Sequence, residues 1–312
     1  MMITMPKYIE SKILLVIEFV VVNSLYLLSI ITYYRIIYNG PGSPLDYPQL
    51  RLNNSENPFD SNHQPAQKPP EFMTIHTLKL NQGFRYCNKC KCWKPDRTHH
   101  CSSSGKCILK MDHYCPWFST CIGFFNYKFF IQFLSYVAIY SWIILGITIY
   151  IIYNLLVTEK YKDEYLTINL ILLCVISFTF ALAVVFFVCF SLYLVSKNLS
   201  TIEFQEQRWN YRGGNVYEFD RNGKQKRLAN IFDLGVRENF KQVFGDSILE
   251  WILPIDINYK IANAGFKNGI NFKVNEDVYK RWCENAELQN QLNDQLAEYK
   301  NRVRREREEY VV

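Results

Sequence analysis

Three stretches of the chain are apolar for long enough to cross a bilayer as helices. Residues 13–34, ILLVIEFVVVNSLYLLSIITYY, carry Glu18 as their one charge, and residues 129–157 and 167–196 carry none. A bilayer core takes about 20 predominantly apolar residues per helix, a length each run reaches. Burial in a soluble core is excluded, because nothing in the rest of the chain could cover them. The first run has no small-residue cleavage site and is too long for a signal peptide. The pattern predicts an α-helical integral membrane protein with transmembrane helices at 12–36, 128–157 and 167–196.

The polar segments divide unevenly around these helices. The link 158–166, TEKYKDEYL, is short and holds two Lys against three acids. The segment 35–128 and the tail beyond Lys197 are long and rich in Lys and Arg. Positive charge flanking membrane helices stays on the cytosolic side, so both long segments are expected in the cytosol and 158–166 in the lumen. Three spans then put the N-terminus in the lumen. A further span upstream of Met1 would put it in the cytosol. Of the cytosolic parts, 37–80 reads as a linker rich in Gly and Pro and then in polar residues. Residues 81–127 read as a compact Cys/His-rich module, and 197–265 as a folded segment ending in the apolar run SILEWILPI. Residues 266–312 form a charged tail. Within it, 276–309 patterns as a helix with Leu288, Leu292, Leu296, Tyr299 and Val303 on one face.

Charge and composition sharpen this picture in three places. The net charge of +6 lies mostly on the cytosolic side and follows from topology, so no nucleic-acid partner is expected. The spans are almost free of ionisable groups, which argues against a channel or transporter. The 22 Phe, 22 Tyr and 6 Trp suit a lipid-lined cavity, although most of these rings are expected to face lipid or the interface.

Cysteine usage is the strongest chemical signal. Of ten Cys and five His, eight residues lie between Cys87 and His113, and Cys115 and Cys121 follow closely. Such clustering in a long chain is not a disulfide scaffold. Cys87-x2-Cys90 is a zinc half-site, since two thiolates two residues apart converge on one ion across a tight turn. Spacing alone leaves open whether His99, His100, Cys101, Cys107 or Cys92 completes it. A second pattern is Asp112-His113-Tyr114-Cys115. A Cys two residues from a His, with an Asp beside that His, is a nucleophile, base and orienter set, and only the thiolate attacks. On chemistry alone, His113 and Cys115 as further zinc ligands is the alternative.

These residues, with Lys94-Pro95-Asp96-Arg97, His99-His100-Cys101, Pro116-Trp117, Cys121-Ile122-Gly123 and Asn126, resemble the cysteine-rich domain of the DHHC protein S-acyltransferases. Ser200-Thr201-Ile202-Glu203 looks like the family's TTxE motif. Gly40-Pro41-Gly42 sits where the family has Asp-Pro-Gly. Residues 230–245, from NIFDLG through Asn239 to VFG, resemble its conserved C-terminal motif. GPGSPLDYP, NIFDLG and LEWILPI are most similar to a fungal vacuolar branch, whose substrate is an armadillo-repeat vacuole protein.

The resemblance implies roles residue by residue. Cys115 would take palmitate or another long-chain acyl group from acyl-CoA as a thioester. A cysteine of a membrane-associated protein would then attack that thioester. His113 would be the base, Asp112 its orienter, and Thr201 a hydrogen-bond partner of Asp112, with Asn239 as support. Lys94, Arg97 and His99 would receive the CoA phosphates, while Trp117, Phe130 and Phe133 would line the mouth of the acyl tunnel and Tyr140 its closed end.

The chain departs from the family in two respects. The family binds two zinc ions. The first set matches Cys87, Cys90, His100 and Cys107. The second matches Cys101, Ser104, Tyr114 and Cys121, two of which are not ordinary ligands. One structural zinc is therefore expected, with two as the alternative and Cys92 or His99 as substitute ligands. Tyr114 makes the motif DHYC, but it replaces a metal ligand rather than the base. The family also has four helices, two of them before the cysteine-rich domain, where this chain has one. Either a helix was lost or the first Met is internal, and a missing helix would open one wall of the tunnel. The competing function is a non-catalytic, membrane-tethered zinc module.

Overall fold

The computed structural model describes residues 12–51, 69–76, 84–157, 166–209, 217–219, 225–227, 229–257 and 268–309. The link 158–165 and most of the polar linker after Leu50 lie outside these. So do the side chains of Leu288, Leu292, Leu296 and Val303.

Three long helices carry the apolar runs: α1 (Lys12–Asn39), α2 (Tyr127–Val157) and α3 (Ile168–Ser196), each long and apolar enough to cross a membrane. No proline interrupts them. Their hydroxyls return to the helix's own backbone: Ser29, Thr32, Ser135, Ser141, Thr148 and Thr179 each donate to the carbonyl four residues earlier. In lipid this is how a polar side chain avoids being left unpaired. α2 is the middle helix and packs against both α1 and α3. α1 ends where Gly40 takes a left-handed φ of +62°, a conformation that closes helices and suits glycine. Gly42 is left-handed too, and a Cβ there would lie 2.4 Å from the Phe125 ring.

The Cys/His-rich module sits at the end of the bundle where α1 finishes, α2 begins and α3 finishes. It consists of three antiparallel hairpins: β1 (Tyr86–Cys87) with β2 (Cys92–Trp93), β3 (His99–Cys101) with β4 (Lys106–Ile108), and β5 (His113–Cys115) with β6 (Thr120–Ile122). Register places Cys87 opposite Cys92, His100 opposite Cys107, and Tyr114 opposite Cys121. Strands this short cannot hold themselves together, so the module depends on what is bound or buried between them. Asn126 joins it to the bundle. Fully buried, it accepts from the Gly123 amide and donates to the carbonyls of Cys121 and of Ile36 on α1.

After α3 come α4 (Thr201–Trp209), the small hairpin β7 (Tyr217–Phe219) and β8 (Gln225–Arg227), α5 (Val236–Phe244), α6 (Ile248–Ile252) and the long α7 (Glu276–Glu309). α5 is held by Asn239, which is fully buried, donates to Ser196 O at the end of α3 and to Asp233, and accepts from Leu234 N. α6 begins with a Ser247/Glu250 capping box. Its apolar side chains Ile248, Leu249 and Ile252 are exposed. Its backbone is gripped by α2: Gln132 Nε2 donates to the carbonyls of Glu250, Trp251 and Leu253, Lys128 Nζ to Ile255 O, and Tyr136 OH to Ile252 O. α6 therefore lies against the first turns of a membrane helix with its apolar side turned outward, as a segment seated in a bilayer surface would.

Arg97 makes the closest tie between the module and the chain beyond α3. It is 3% exposed and left-handed, with φ +63°. Nε and Nη2 each donate to a Glu203 oxygen at 2.7 Å, Nη1 to Asn198 Oδ1 at 2.9 Å, and Nη2 also to Asn198 O at 2.9 Å. The guanidinium lies over the rings of Phe232 and Phe272. Burial opposes the Glu203 charge, but the Arg97 charge and hydrogen bonds outweigh it and hold this carboxyl below its usual range. Arg97→Ala should cost on the order of 3–5 kcal/mol, because it strands a buried carboxylate, and thermal unfolding of the solubilised protein measures it. The contribution of Glu203 should be complete above pH ~4.3 and be lost as pH falls through its depressed folded value.

Candidate active site and metal centre

The first two hairpins bring four ligands to one point. The ligand atoms of Cys87, Cys90, His100 and Cys107 all lie within 4.8 Å of one another. His100 Nδ1 faces the three sulfurs at 3.6 Å (Cys87), 3.2 Å (Cys90) and 3.9 Å (Cys107). A tetrahedral zinc, with bonds of about 2.1 Å to nitrogen and 2.3 Å to sulfur, separates such atoms by roughly 3.6 Å. The donor chemistry agrees. Burial, and then the Cys107 thiol, push Cys90 up to about 12. A hydrogen bond with Cys92, then burial, push Cys107 up as well. At Cys87 burial is outweighed by hydrogen bonds, that of the Cys90 amide foremost, and the net shift is downward, so three thiols of unequal acidity and an imidazole converge in a set that fits a zinc ion. Cys92 is buried beside Cys87 and Cys107 but is not one of the four, and His99 is not either.

The third hairpin differs. Cys101 Sγ accepts from the Ser104 amide, and Cys121 Sγ lies 3.6 Å from Ser104 Oγ. The Tyr114 ring packs over Cys101, Ile108, Met111 and Cys121, together with Ile202. Thiols, a hydroxyl and an aromatic ring fill this position by packing and weak hydrogen bonds.

The same hairpin presents the Asp112-His113-x-Cys115 set. His113 Nδ1 lies 2.7 Å from Asp112 Oδ2. Asp112 in turn accepts from Thr201 twice, from the amide to Oδ1 and from Oγ1 to Oδ2, both at 2.8 Å. The carboxylate is 4% exposed, and with its oxygens so occupied it fixes the ring's orientation. Burial opposes charge on His113, but the hydrogen bonds and charges of Asp112 and Cys115 outweigh it and hold the imidazole up at about 9. Burial likewise pushes the Cys115 thiol up. The hydrogen bond from His113 and those from the Trp117 and Phe118 amides overcome this, and the net shift is downward. The result is a thiol whose ionisation is favoured by the imidazole beside it, with that imidazole oriented by a carboxylate, the arrangement of an activated nucleophile.

Beside this pair, a cavity of about 570 Å³ runs between the three long helices, lined by Tyr26, Tyr33, Phe133, Tyr140, Ser141 and Ile176 among others. Tyr33 and Phe133 also pack on the cluster that holds Cys115, so they connect the thiol to the cavity. Tyr140 lies within it and meets Tyr26 of α1, ring centroids 6.5 Å apart.

Several expected positions differ. Arg97, expected at the CoA phosphates, has its guanidinium buried and bonded to Glu203 and Asn198. His99 is half-buried, and burial together with the Arg85 charge pushes it down to about 4. Lys94 is half-buried. Trp117 is 84% exposed and turned away from the core, and Phe118 takes the inner place against Tyr33, Phe130 and Phe133. Phe130 stands edge-on to His113 at 5.2 Å rather than in the cavity wall. Phe118, Tyr26 and Tyr33 are additions to the expected set. Nothing in the run Cys115-Pro116-Trp117-Phe118 separated Phe118 from Trp117, and nothing in an all-apolar α1 singled out its two tyrosines.

Alkylation of Cys115 by a small reagent, followed peptide by peptide, should show an acid limb with its midpoint below the usual thiol pKa. The thiolate fraction falls as pH drops through that value. Asp112→Asn should move the midpoint upward, since it removes the charge that keeps His113 protonated.

Residues 80–208 match the family model for DHHC palmitoyltransferase. The chain is 55% identical to palmitoyltransferase PFA3 of Candida albicans, over 98% of this chain and 87% of that protein. It is 46% identical to palmitoyltransferase PFA3 of Debaryomyces hansenii, over 91% of this chain and 80% of that protein. Palmitoyltransferase ZDHHC2 of Danio rerio is 33% identical over 74% of this chain and 62% of that protein. With an activated-thiol geometry, a four-ligand cluster and three membrane-length helices already in place, these likenesses make the chain a member of the DHHC palmitoyltransferase family and a protein S-acyltransferase of the membrane.

Proposed function

We propose that Cys115 carries the acyl group. The observation that supports this best is the chain Thr201–Asp112–His113–Cys115 ending beside the apolar cavity. The Cys115 thiolate attacks the carbonyl carbon of a long-chain acyl-CoA, palmitoyl-CoA foremost. A new C–S bond forms, the bond to the CoA sulfur breaks, and His113 protonates the departing thiolate. In the second half, a substrate cysteine gives its proton to His113 and attacks the Cys115 thioester, which releases Cys115. The acyl chain lies in the cavity, where each buried methylene contributes about 0.8 kcal/mol. The Tyr26–Tyr140 pair limits how far it reaches.

The active site faces the cytosol, in keeping with the Lys- and Arg-rich segments that surround it. One zinc is held by Cys87, Cys90, His100 and Cys107. It supplies structural cohesion to hairpins too short to stand alone and takes no part in the transfer. Cys101, Ser104, Tyr114 and Cys121 hold the third hairpin without metal. The protein substrate is membrane-associated. The runs GPGSPLDYP, NIFDLG and LEWILPI support the vacuole membrane as the location and an armadillo-repeat vacuole protein as the substrate.

Purified protein given labelled palmitoyl-CoA should acquire a hydroxylamine-labile label. Equal labelling of Cys115→Ser would reject Cys115 as the carrier. Metal analysis of the same preparation should find one equivalent of zinc per chain, lost with cooperative unfolding on His100→Ala, and two equivalents would overturn the single-ion reading. Tyr140→Ala should widen acceptance toward longer acyl chains, read as the ratio of autoacylation rates for C18 and C16 donors.

A further inference from the structure

A cleft separate from the apolar cavity opens between the Cys/His module, the first turn of α2, α5 and residues 271–273. It consists of two adjoining recesses of about 240 and 80 Å³ that share Lys110, Phe124, Gln242 and Ile257 in their walls. Asn39 at the end of α1 and Lys128 at the start of α2 form one side, so the cleft lies at the level where lipid headgroups meet the bundle.

Lys110 is its central feature. The side chain is 9% exposed. Among the described residues its ammonium has no hydrogen-bond acceptor and no salt-bridge partner, and it lies over the Tyr127 ring at 5.6 Å. Asp112 and Glu203 act on it at longer range, but their oxygens bond to Thr201, His113, Arg97 and Ser200. Its backbone is left-handed, with φ +43°, a conformation that is costly for a non-glycine residue. A strained backbone thus holds an amine in the cleft wall with no counterion of its own, and burial and the Arg97 charge push it down to about 7, so an anion beside it would restore its full charge.

The other charges of the cleft are largely accounted for. Lys241 pairs with Glu238 at 3.0 Å and with Asp246 at 3.9 Å. Asp256 pairs with Arg35 at 2.8 Å. Lys128 gives one hydrogen to Ile255 O and keeps two, and Lys273 also lines the wall. The carboxylates are taken by cations other than Lys110, so the unmet charge in the cleft is positive. Burying a cation without a partner is costly, and an anion with several acceptor oxygens would satisfy Lys110 and Lys128 together.

We propose that this cleft is a phosphate-binding site, in which Lys110 and Lys128 hold the phosphate of an anionic lipid headgroup or of a soluble phosphate ester. Phe124, Phe125 and Phe129 line the recess beside the ammonium groups. This site is distinct from the place where the acyl donor reacts at Cys115.

The test uses the full chain in neutral detergent, titrated with dioctanoyl phosphatidic acid, dioctanoyl phosphatidylcholine and glycerol 3-phosphate. Saturable binding is expected for the phosphatidic acid and none for the phosphatidylcholine. Glycerol 3-phosphate binding equally well would identify a soluble ester as the ligand. Much weaker binding would identify the lipid. Lys110→Met should weaken binding at least tenfold, and Lys110→Arg should restore most of it. Lys128→Gln, whose amide can still donate to Ile255 O, should weaken it about threefold, and decides the matter if Lys110→Met fails to fold. Binding unchanged in both variants, or no saturable binding of either phosphate probe, would overturn the proposal. So would displacement of the probe by palmitoyl-CoA at the concentrations that acylate the protein.

Discussion

Arg97 carries a full charge at 3% exposure, and a charge taken out of water costs several kcal/mol unless it is matched by partners. The match comes from outside the module. Glu203 and Asn198 lie beyond the last membrane helix, and Phe232 and Phe272 come from further along still. Shifting the module by a distance too small to admit water would leave both charges of the pair without solvent or partner. That penalty fixes how the third hairpin sits over α4, and so brings Thr201 within 2.8 Å of Asp112. The orientation of His113, and through it the ionisation of Cys115, therefore rests on an ion pair that touches neither residue.

The same logic explains the small module. Three two-stranded hairpins with strands of two or three residues bury little apolar area. Their cohesion is borrowed from four ligands at one corner, the thiol and tyrosine packing at another, and asparagines that bond main-chain atoms of neighbouring elements. Asn126, Asn198 and Asn239 are each 3% exposed or less; Asn126 and Asn239 spend their amides on backbone groups of two segments, and the Asn198 amide joins Phe232 O to the side chains of Gln242 and Arg97. Such bonds constrain geometry more than they add net stability, since a satisfied hydrogen bond contributes about 1 kcal/mol but an orphaned one costs more.

Much of this was legible in the chain. The three apolar runs gave the membrane helices, because length and composition alone decide whether a helix can span lipid. The charged helix at 276–309 was legible from its period. The Asp112-His113-x-Cys115 set was readable because its members are neighbours on one strand. Spacing did not decide the zinc ligands. Cys92 and His99 stand as close in sequence as Cys90 and His100, and only the strand register separates them. The surroundings of Arg97 were hidden for a related reason. A sequence of Lys, Arg and His looks like an exposed phosphate cradle until Glu203, more than a hundred residues later, folds against it. Trp117 and Phe118 are adjacent, and the hairpin's twist alone determined which ring turned inward. The α1 tyrosines were hidden because a helix apolar on all sides gives no period from which to read a lining face.

The grip of α2 on residues 250–255 has an evolutionary corollary. Gln132, Lys128 and Tyr136 bond carbonyl oxygens, which every amino acid supplies alike. Recognition of this kind ignores side-chain identity. The outward positions Ile248, Leu249 and Ile252 are thus free to exchange one apolar residue for another, with bilayer affinity as their main filter, while the three residues that hold the segment have little room to change. Variation should accumulate on the outward face of α6 and constancy on the helix that holds it, the reverse of what the apolar monotony of α2 would suggest.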